Sequence, residues 1–281
     1  MKWVSLRWNG QRGLQVRTDH FEWTTAGIRD CWLGGSHHTA TDHEIAEHIL
    51  VGAPYLPYMV RVYRLLLRRV VRYLVGVGVE QFLDLGSGLP TADNVHDVAQ
   101  ALNPACRVVY VDIAPEIVAE GRPVLAANDS AAMVCADLRH PEQVLDAAQR
   151  TGLLDLGAPV AVLMIDVLHH IPDTDNPIHQ FIQTYVDAVC PGSYVAVAHP
   201  SDGDALLSGL ATFHHFYQIP IPPLTFRDLA QIEDFFTGLD LVEPGVVPIP
   251  LWHPEQEQDE DADTEPHFPG LCGLGRKPCQ P

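Results

Sequence analysis

Three carboxylates stand at corresponding points of three short apolar runs. Asp84 lies in Phe82-Leu83-Asp84-Leu85, and the run leads straight into Gly86-Ser87-Gly88-Leu89-Pro90-Thr91. Asp112 ends Val108-Val109-Tyr110-Val111-Asp112. Asp137 closes Val134-Cys135-Ala136-Asp137 and is followed by Leu138. Two glycines after an apolar run let the chain turn tightly and let a ligand approach the backbone. A helix starting behind them would present unpaired N–H groups to an anion.

Two cofactor classes use this geometry. A dinucleotide site wants GxGxxG so that pyrophosphate can rest on the helix N-terminus. Here the sixth position is Thr91, so that motif is incomplete. Asp84, two residues ahead of Gly86, instead suits a cofactor with an ammonium group, and S-adenosylmethionine has an amino-acid tail and a sulfonium. Asp112 at the end of a second strand could hold a ribose diol through its two oxygens. Asp137 could accept from an adenine amino group, with Leu138 packed on the ring. Ser87 and Ile113 join the cofactor set by position. The plainer alternative for Asp84 is a helix-capping aspartate, and an NAD site would need only the ribose acid.

Methyl transfer to oxygen or nitrogen also needs alignment and proton removal. Asp166-Val167-Leu168-His169-His170 follows the run VAVLMI, where a catalytic group is expected. Histidine titrates near neutrality and suits a general base, and Asp166 could orient it or hold cofactor or acceptor. The alternative is a packed structural histidine. His37, His38, His214, His215 and Tyr217 are candidates for the acceptor pocket. His43-Glu44-Ile45-Ala46-Glu47-His48 is not the HExxH of a zinc peptidase, because its histidines are five apart. No metal is expected.

The elements that must position these residues follow from periodicity. Strands are predicted at 81–85, 107–112, 132–136, 160–166 and 194–199, and helices at 92–102, 116–126, 141–149 and 178–189. Strict alternation, with runs that are apolar throughout, predicts a parallel sheet covered on both faces. Before it, Asp42 could cap a helix reaching Leu50, and a second helix spans 58–75, with Arg61, Arg64, Arg68, Arg69 and Arg72 mostly on a solvated face. After it, helices are predicted at 204–217 and 225–238, the latter capped by Thr225, and a last strand at 271–276. Glu255–Glu265 holds seven acids and no base, the composition of a solvated loop.

Composition narrows the class. The 281 residues carry 17 basic and 36 acidic side chains, a net charge of −19, which disfavours a grip on phosphate backbones. The six cysteines form no CxxC pair; Cys106, Cys135 and Cys190 read as reduced, buried thiols. No apolar run reaches the length of a membrane span or signal peptide. The expectation is a cytoplasmic protein with a small-molecule partner, no nucleic acid and no membrane; a homodimer is compatible with it.

Taken together, these segments resemble class I S-adenosylmethionine-dependent methyltransferases. More narrowly, they resemble an actinobacterial family formerly catalogued as a domain of unknown function. The likeness rests on Gly86–Thr91 with Asn94-Val95-His96, on Val109–Asp112, on Ala136–Arg139, on Val167–Asp173, on Pro191–Val195 and on Gly273–Pro278. It implies a Rossmann-like α/β fold: a seven-stranded, mostly parallel sheet with helices on both faces and a helical N-terminal cap. The expected division is a cap over 1–75, a cofactor-binding core over 76–200, and lid helices with closing strands over 201–281. Gly34 and Gly35 would close over the amino-acid tail of the cofactor. Where the family usually has Leu-Gly-Gly-Lys-(Asp/His)-Asn-Phe, this chain has Leu33-Gly34-Gly35-Ser36-His37-His38-Thr39. Asp166 is a second departure, and both border the expected acceptor pocket. The activity implied is methyl transfer to a small molecule, with an oxygen acceptor favoured; the alternatives are a relative that binds adenosylmethionine with repurposed or lost methyl transfer, and an NAD(P)-dependent oxidoreductase.

Overall fold

The computed structural model describes residues 23–91, 93–173, 178–201, 209, 211, 224–254 and 269–279. The predicted helix at 204–217, with His214, His215 and Tyr217, falls outside these apart from residues 209 and 211, and so does the acidic stretch 255–265. Two compact units emerge, Met1–Val60 with Gly203–Pro223 and Arg61–Asp202 with Leu224–Pro281.

The first unit contains α1 (Thr25–Trp32), α2 (Ala40–Ile49) and the start of α3 (Leu56–Gly76). Ile28 of α1 and Ile45, Ala46 and Ile49 of α2 bury one apolar cluster with Ala53. Asp42 does not begin α2 as expected; Thr39 is the N-cap. The Thr39 hydroxyl accepts from the Asp42 N–H (3.1 Å), and Asp42 Oδ2 accepts from the Thr39 N–H (2.8 Å). This reciprocal box satisfies two of the helix's orphan donors.

The second unit is built on the alternation read from the sequence. Its parallel strands are β1 (Gln81–Leu85), β2 (Arg107–Asp112), β3 (Ala131–Cys135), β4 (Val160–Ile165) and β5 (Tyr194–Pro200). The intervening helices are α4 (Val95–Leu102), α5 (Pro115–Leu125), α6 (Pro141–Gln149) and α7 (Ile178–Ala188). Two-residue strands β6 (Asp240–Leu241) and β7 (Val247–Pro248) precede β8 (Gly270–Arg276), which runs antiparallel to β5. The order is β3-β2-β1-β4-β5-β8-β6, with β7 also on β8. The chain leaves β1 in one direction for β2 and β3, and in the other for β4 and β5. The switch point therefore lies between β1 and β4, where open α/β sheets bind ligands at the carboxyl ends of the strands. Leu83, Leu85, Val109, Val111, Val162 and Met164 fill the main core against α6 and α7.

Several expectations need correction. The helix predicted from Ala92 begins at Val95, because Asn94 is its N-cap and Asp97 Oδ2 accepts the Asn94 N–H (3.1 Å). The helix predicted at 225–238 is only Leu229–Glu233 followed by a 3-10 turn, Asp234–Phe236. Thr225 lies four residues ahead of this helix, and its N–H donates to the His169 carbonyl (2.8 Å); Asp228 is the cap. Arg69 is not on a solvated face: it is buried and donates to the Ile249 carbonyl (2.9 Å). Cys135 is exposed, because it ends the edge strand β3. Among the described residues, no helix is long and apolar enough to cross a membrane.

Candidate active site

The glycine turn after β1 is tied to the end of β2. Gly86 N–H and Ser87 N–H both donate to the Val111 carbonyl, at 2.8 and 3.1 Å. Gly88 N–H donates to Asp112 Oδ2 (3.0 Å), while Asp112 Oδ1 accepts from Ala114 N–H (2.9 Å). Both oxygens of Asp112 are thus aimed by backbone bonds, and each keeps a lone pair for a ligand. Gly86 and Gly88 have φ of 70° and 63°, conformations that suit glycine. A Cβ on Gly86 would overlap the Val167 side chain, so this position must stay bare for β1 and β4 to end side by side.

Asp84 is buried, and that burial pushes its carboxyl up to about 7, with the charge of Asp112 adding and the Arg64 guanidinium pulling back. Arg64 was assigned to a solvated face by its spacing. It instead reaches the turn after Gly88, donating to Asn94 Oδ1 and the Asp93 carbonyl. A carboxylate acceptor with a guanidinium donor near it is the pair that the ammonium and carboxylate of a zwitterionic amino-acid tail require. No short sequence signal distinguishes Arg64 from its neighbours on α3.

Asp112 is followed by Ile113, an exposed large apolar residue at a strand end. Asp137 lies just beyond β3 and is clasped by Arg139, whose Nε donates to both carboxylate oxygens (2.9 and 3.0 Å). Burial raises the Asp137 proton affinity, but the Arg139 bonds outweigh it and hold the carboxyl below its usual range. Any contact with adenine must use the lone pairs that Arg139 leaves. Leu138 packs partly on the main core, and its carbonyl accepts from Tyr185 Oη (2.8 Å).

Beyond β4, Asp166 turns the chain at φ 56°. A 3-10 turn, Leu168–His170, then carries both histidines. His169 Nδ1 lies 3.5 Å from Asp166 Oδ1, and the rings of His169 and His170 are 4.0 Å apart. What fixes this segment leaves no pattern in the sequence. Buried Arg227 donates to the carbonyls of Leu168 (3.1 Å) and Ile171 (2.8 Å), to Asp173 Oδ1 (2.9 Å) and to His199 Nε2 (2.7 Å). His199 Nδ1 donates to the Pro200 carbonyl (2.7 Å). Burial and the adjacent guanidinium push His199 down to about 4, so it is neutral.

Gly34, Gly35, His37 and His38 belong to the first unit, around buried Asp30. Asp30 Oδ2 accepts from His37 N–H (2.8 Å) and faces His38 Nδ1 (3.0 Å). A side chain at Gly35 would overlap the Asp30 carboxylate.

Comparison with known proteins bears on this geometry. A family model described as S-adenosyl methyltransferase matches residues 12–278. A crystal structure of a candidate methyltransferase from Thermobifida fusca YX is similar at 34% identity and a TM-score of 0.79, over 93% of this chain and 97% of that one. A DUF574 family protein from Streptomyces avermitilis MA-4680 is similar at 32% identity and a TM-score of 0.78, over 91% and 97%. The CurJ carbon methyltransferase shares the fold at 10% identity and a TM-score of 0.50, over 83% of this chain and 61% of that one. No curated protein is close enough to match.

Proposed function

The chain belongs to the S-adenosyl methyltransferase family, and from that premise we propose that it methylates an oxygen of a small molecule, as a tailoring step of specialised metabolism. S-adenosylmethionine is its cofactor, and the bare, positive-φ glycine turn beside Asp84 and Asp112 fits it. Bound there, it supplies an electrophilic methyl group on sulfur.

The residues divide the work by chemistry. Asp84 meets the ammonium of the amino-acid tail, Arg64 its carboxylate, and the N–H groups around Gly86, Ser87 and Gly88 line the turn. Asp112 holds the ribose hydroxyls with Ile113 alongside. Asp137 and Leu138 border the adenine. Asp166 Oδ1, 3.5 Å from His169 Nδ1, is the carboxylate that would favour a proton on that nitrogen and leave Nε2 to take the acceptor's proton, and the His170 ring lies tilted beside that of His169. The observation that supports an oxygen acceptor is this Asp166–His169 pair at the end of β4, since a hydroxyl, more than a neutral amine with its free lone pair, needs a base to take its proton as it attacks. A net charge of −19 supports a neutral or cationic small molecule over nucleic acid.

The test is a panel of phenolic, hydroxyl, amine and carbon acceptors, with release of S-adenosylhomocysteine as readout. Methylation of hydroxyl acceptors, lost in His169→Ala without loss of S-adenosylhomocysteine binding, is expected. Turnover confined to amine or carbon acceptors overturns the oxygen assignment. Separately, Asp112→Ala should weaken S-adenosylhomocysteine binding more than about tenfold, since both ribose bonds go to one charged group. Unchanged affinity in calorimetry removes Asp112 from the site.

A further inference from the structure

The first unit gathers a set of metal-ligating side chains. Cys31 stands near the end of α1, His43 lies in the first turns of α2, and His38 is in the loop between them. Cys31 Sγ is 3.1 Å from His43 Nδ1. One ligating atom from each of the three lies within 4.8 Å of the other two. The two imidazoles stack with centroids 5.9 Å apart. Donors around one tetrahedral zinc, at bonds of about 2.0–2.3 Å, sit roughly 3.3–3.7 Å from each other. Small side-chain rotations therefore suffice to close the set.

The surroundings match a metal centre in two further respects. Each imidazole has a carboxylate on its other nitrogen: Asp30 Oδ2 is 3.0 Å from His38 Nδ1, and Glu47 Oε1 is 3.9 Å from His43 Nε2. At hydrogen-bond distance, Asp30 fixes the tautomer of His38 and makes it a better metal donor, while the more distant Glu47 adds only negative charge beside His43. Burial, then Glu47, Asp30 and Asp42, raise the proton affinity of the Cys31 thiol. The same acids that disfavour a bare thiolate favour a cation beside it. The spacing of His43 and His48 gives no hint of this, because His48 is not in the set and the other two donors come from α1 and the loop after it.

We propose that Cys31 Sγ, His38 Nε2 and His43 Nδ1 bind one zinc-class divalent cation, with a water in the fourth position. Binding releases the Cys31 thiol proton to solvent and leaves the oxidation state of the metal unchanged. The ion would clasp the loop carrying Gly34 and Gly35 to both helices. The inference is independent of the acceptor and of methyl transfer.

The test is titration of the full chain, stripped with chelator and kept reduced, with cobalt(II). One equivalent should bind with a dissociation constant below about 10 µM, showing a thiolate-to-cobalt charge-transfer band. The band should vanish in Cys31→Ala, and affinity should fall about tenfold or more in His38→Ala and His43→Ala. No band in the unmodified protein, or a band that survives Cys31→Ala, overturns the site. A second measurement needs no variant. Zinc should slow iodoacetamide alkylation of Cys31 about tenfold, read by peptide mass, while exposed Cys135 and Cys279 serve as internal controls. Equal alkylation of Cys31 with and without zinc also overturns it.

Discussion

A carboxylate buried as deeply as Asp84 must either stay protonated or meet a cation. Its burial pushes it up to about 7, so it titrates near neutral pH. An ammonium group bound beside it would favour the ionised form, so binding becomes weaker as pH falls through 7. Affinity for S-adenosylhomocysteine should therefore drop about tenfold between pH 8 and pH 6, and Asp84→Asn should abolish that dependence. Calorimetry at both pH values checks this, and an unchanged slope in the variant removes Asp84 from the tail site. Asp84, Asp112 and Asp137 were legible in the sequence because each follows or interrupts an apolar run where a charge is conspicuous. Arg64 was not. Helical spacing reports which face a residue is on, but not that a long side chain can reach across to the Asn94 turn.

The same contrast holds for whole elements. Strands β1, β2, β4 and β5 were placed to within a residue because strands covered on both faces are apolar throughout. The segment from residue 224 to 238 was not legible, because Arg227, not periodicity, decides its path. Its guanidinium gathers two carbonyls of the β4 turn, Asp173 and His199, and a lone arginine in Phe226-Arg227-Asp228 carries no such information. Arg227→Ala leaves buried acceptors without a donor and should cost about 3 kcal/mol in urea unfolding. It should also lower turnover more than S-adenosylhomocysteine affinity, since His169 sits on the released turn. An unaltered unfolding midpoint removes the clamp. His199 supplies the matching pH dependence. Its proton affinity is lowered from the ordinary histidine value to about 4, so unfolding is increasingly favoured as pH falls from about 6.5 toward 4. His199→Asn should show a shallower loss of stability over that window, and an identical loss would assign the acid sensitivity elsewhere.

At the scale of the molecule, the sheet closes through one strand. β8 pairs with β5 from Tyr194↔Arg276 to Pro200↔Gly270, and it is also the partner of β6 and β7. It fits against Phe236, whose Cζ would lie 2.8 Å from a Cβ on Gly273, so the strand has room for the ring only because that position is bare. Just beyond it, Lys277 Nζ donates to the carbonyls of Val186 (2.8 Å), Asp187 (3.1 Å) and Val189 (2.8 Å) at the end of α7. A cation there satisfies orphan carbonyls and the negative end of the helix dipole. The closing Gly-Leu-Gly-Arg-Lys-Pro was legible as a motif, but its two tasks, bare packing against Phe236 and capping of α7, are tertiary and leave no periodic trace. Ending the chain after Pro269 would strip β5 of its antiparallel neighbour and leave a long apolar edge open to pairing with other molecules. That chain should elute as aggregate in size-exclusion chromatography and fail to bind S-adenosylhomocysteine. Lys277→Ala should instead stay monodisperse and lose only about 1–2 kcal/mol of stability in urea unfolding. A truncated chain that elutes as the full chain does and binds the cofactor product would show that β8 closes the sheet without being needed to hold it.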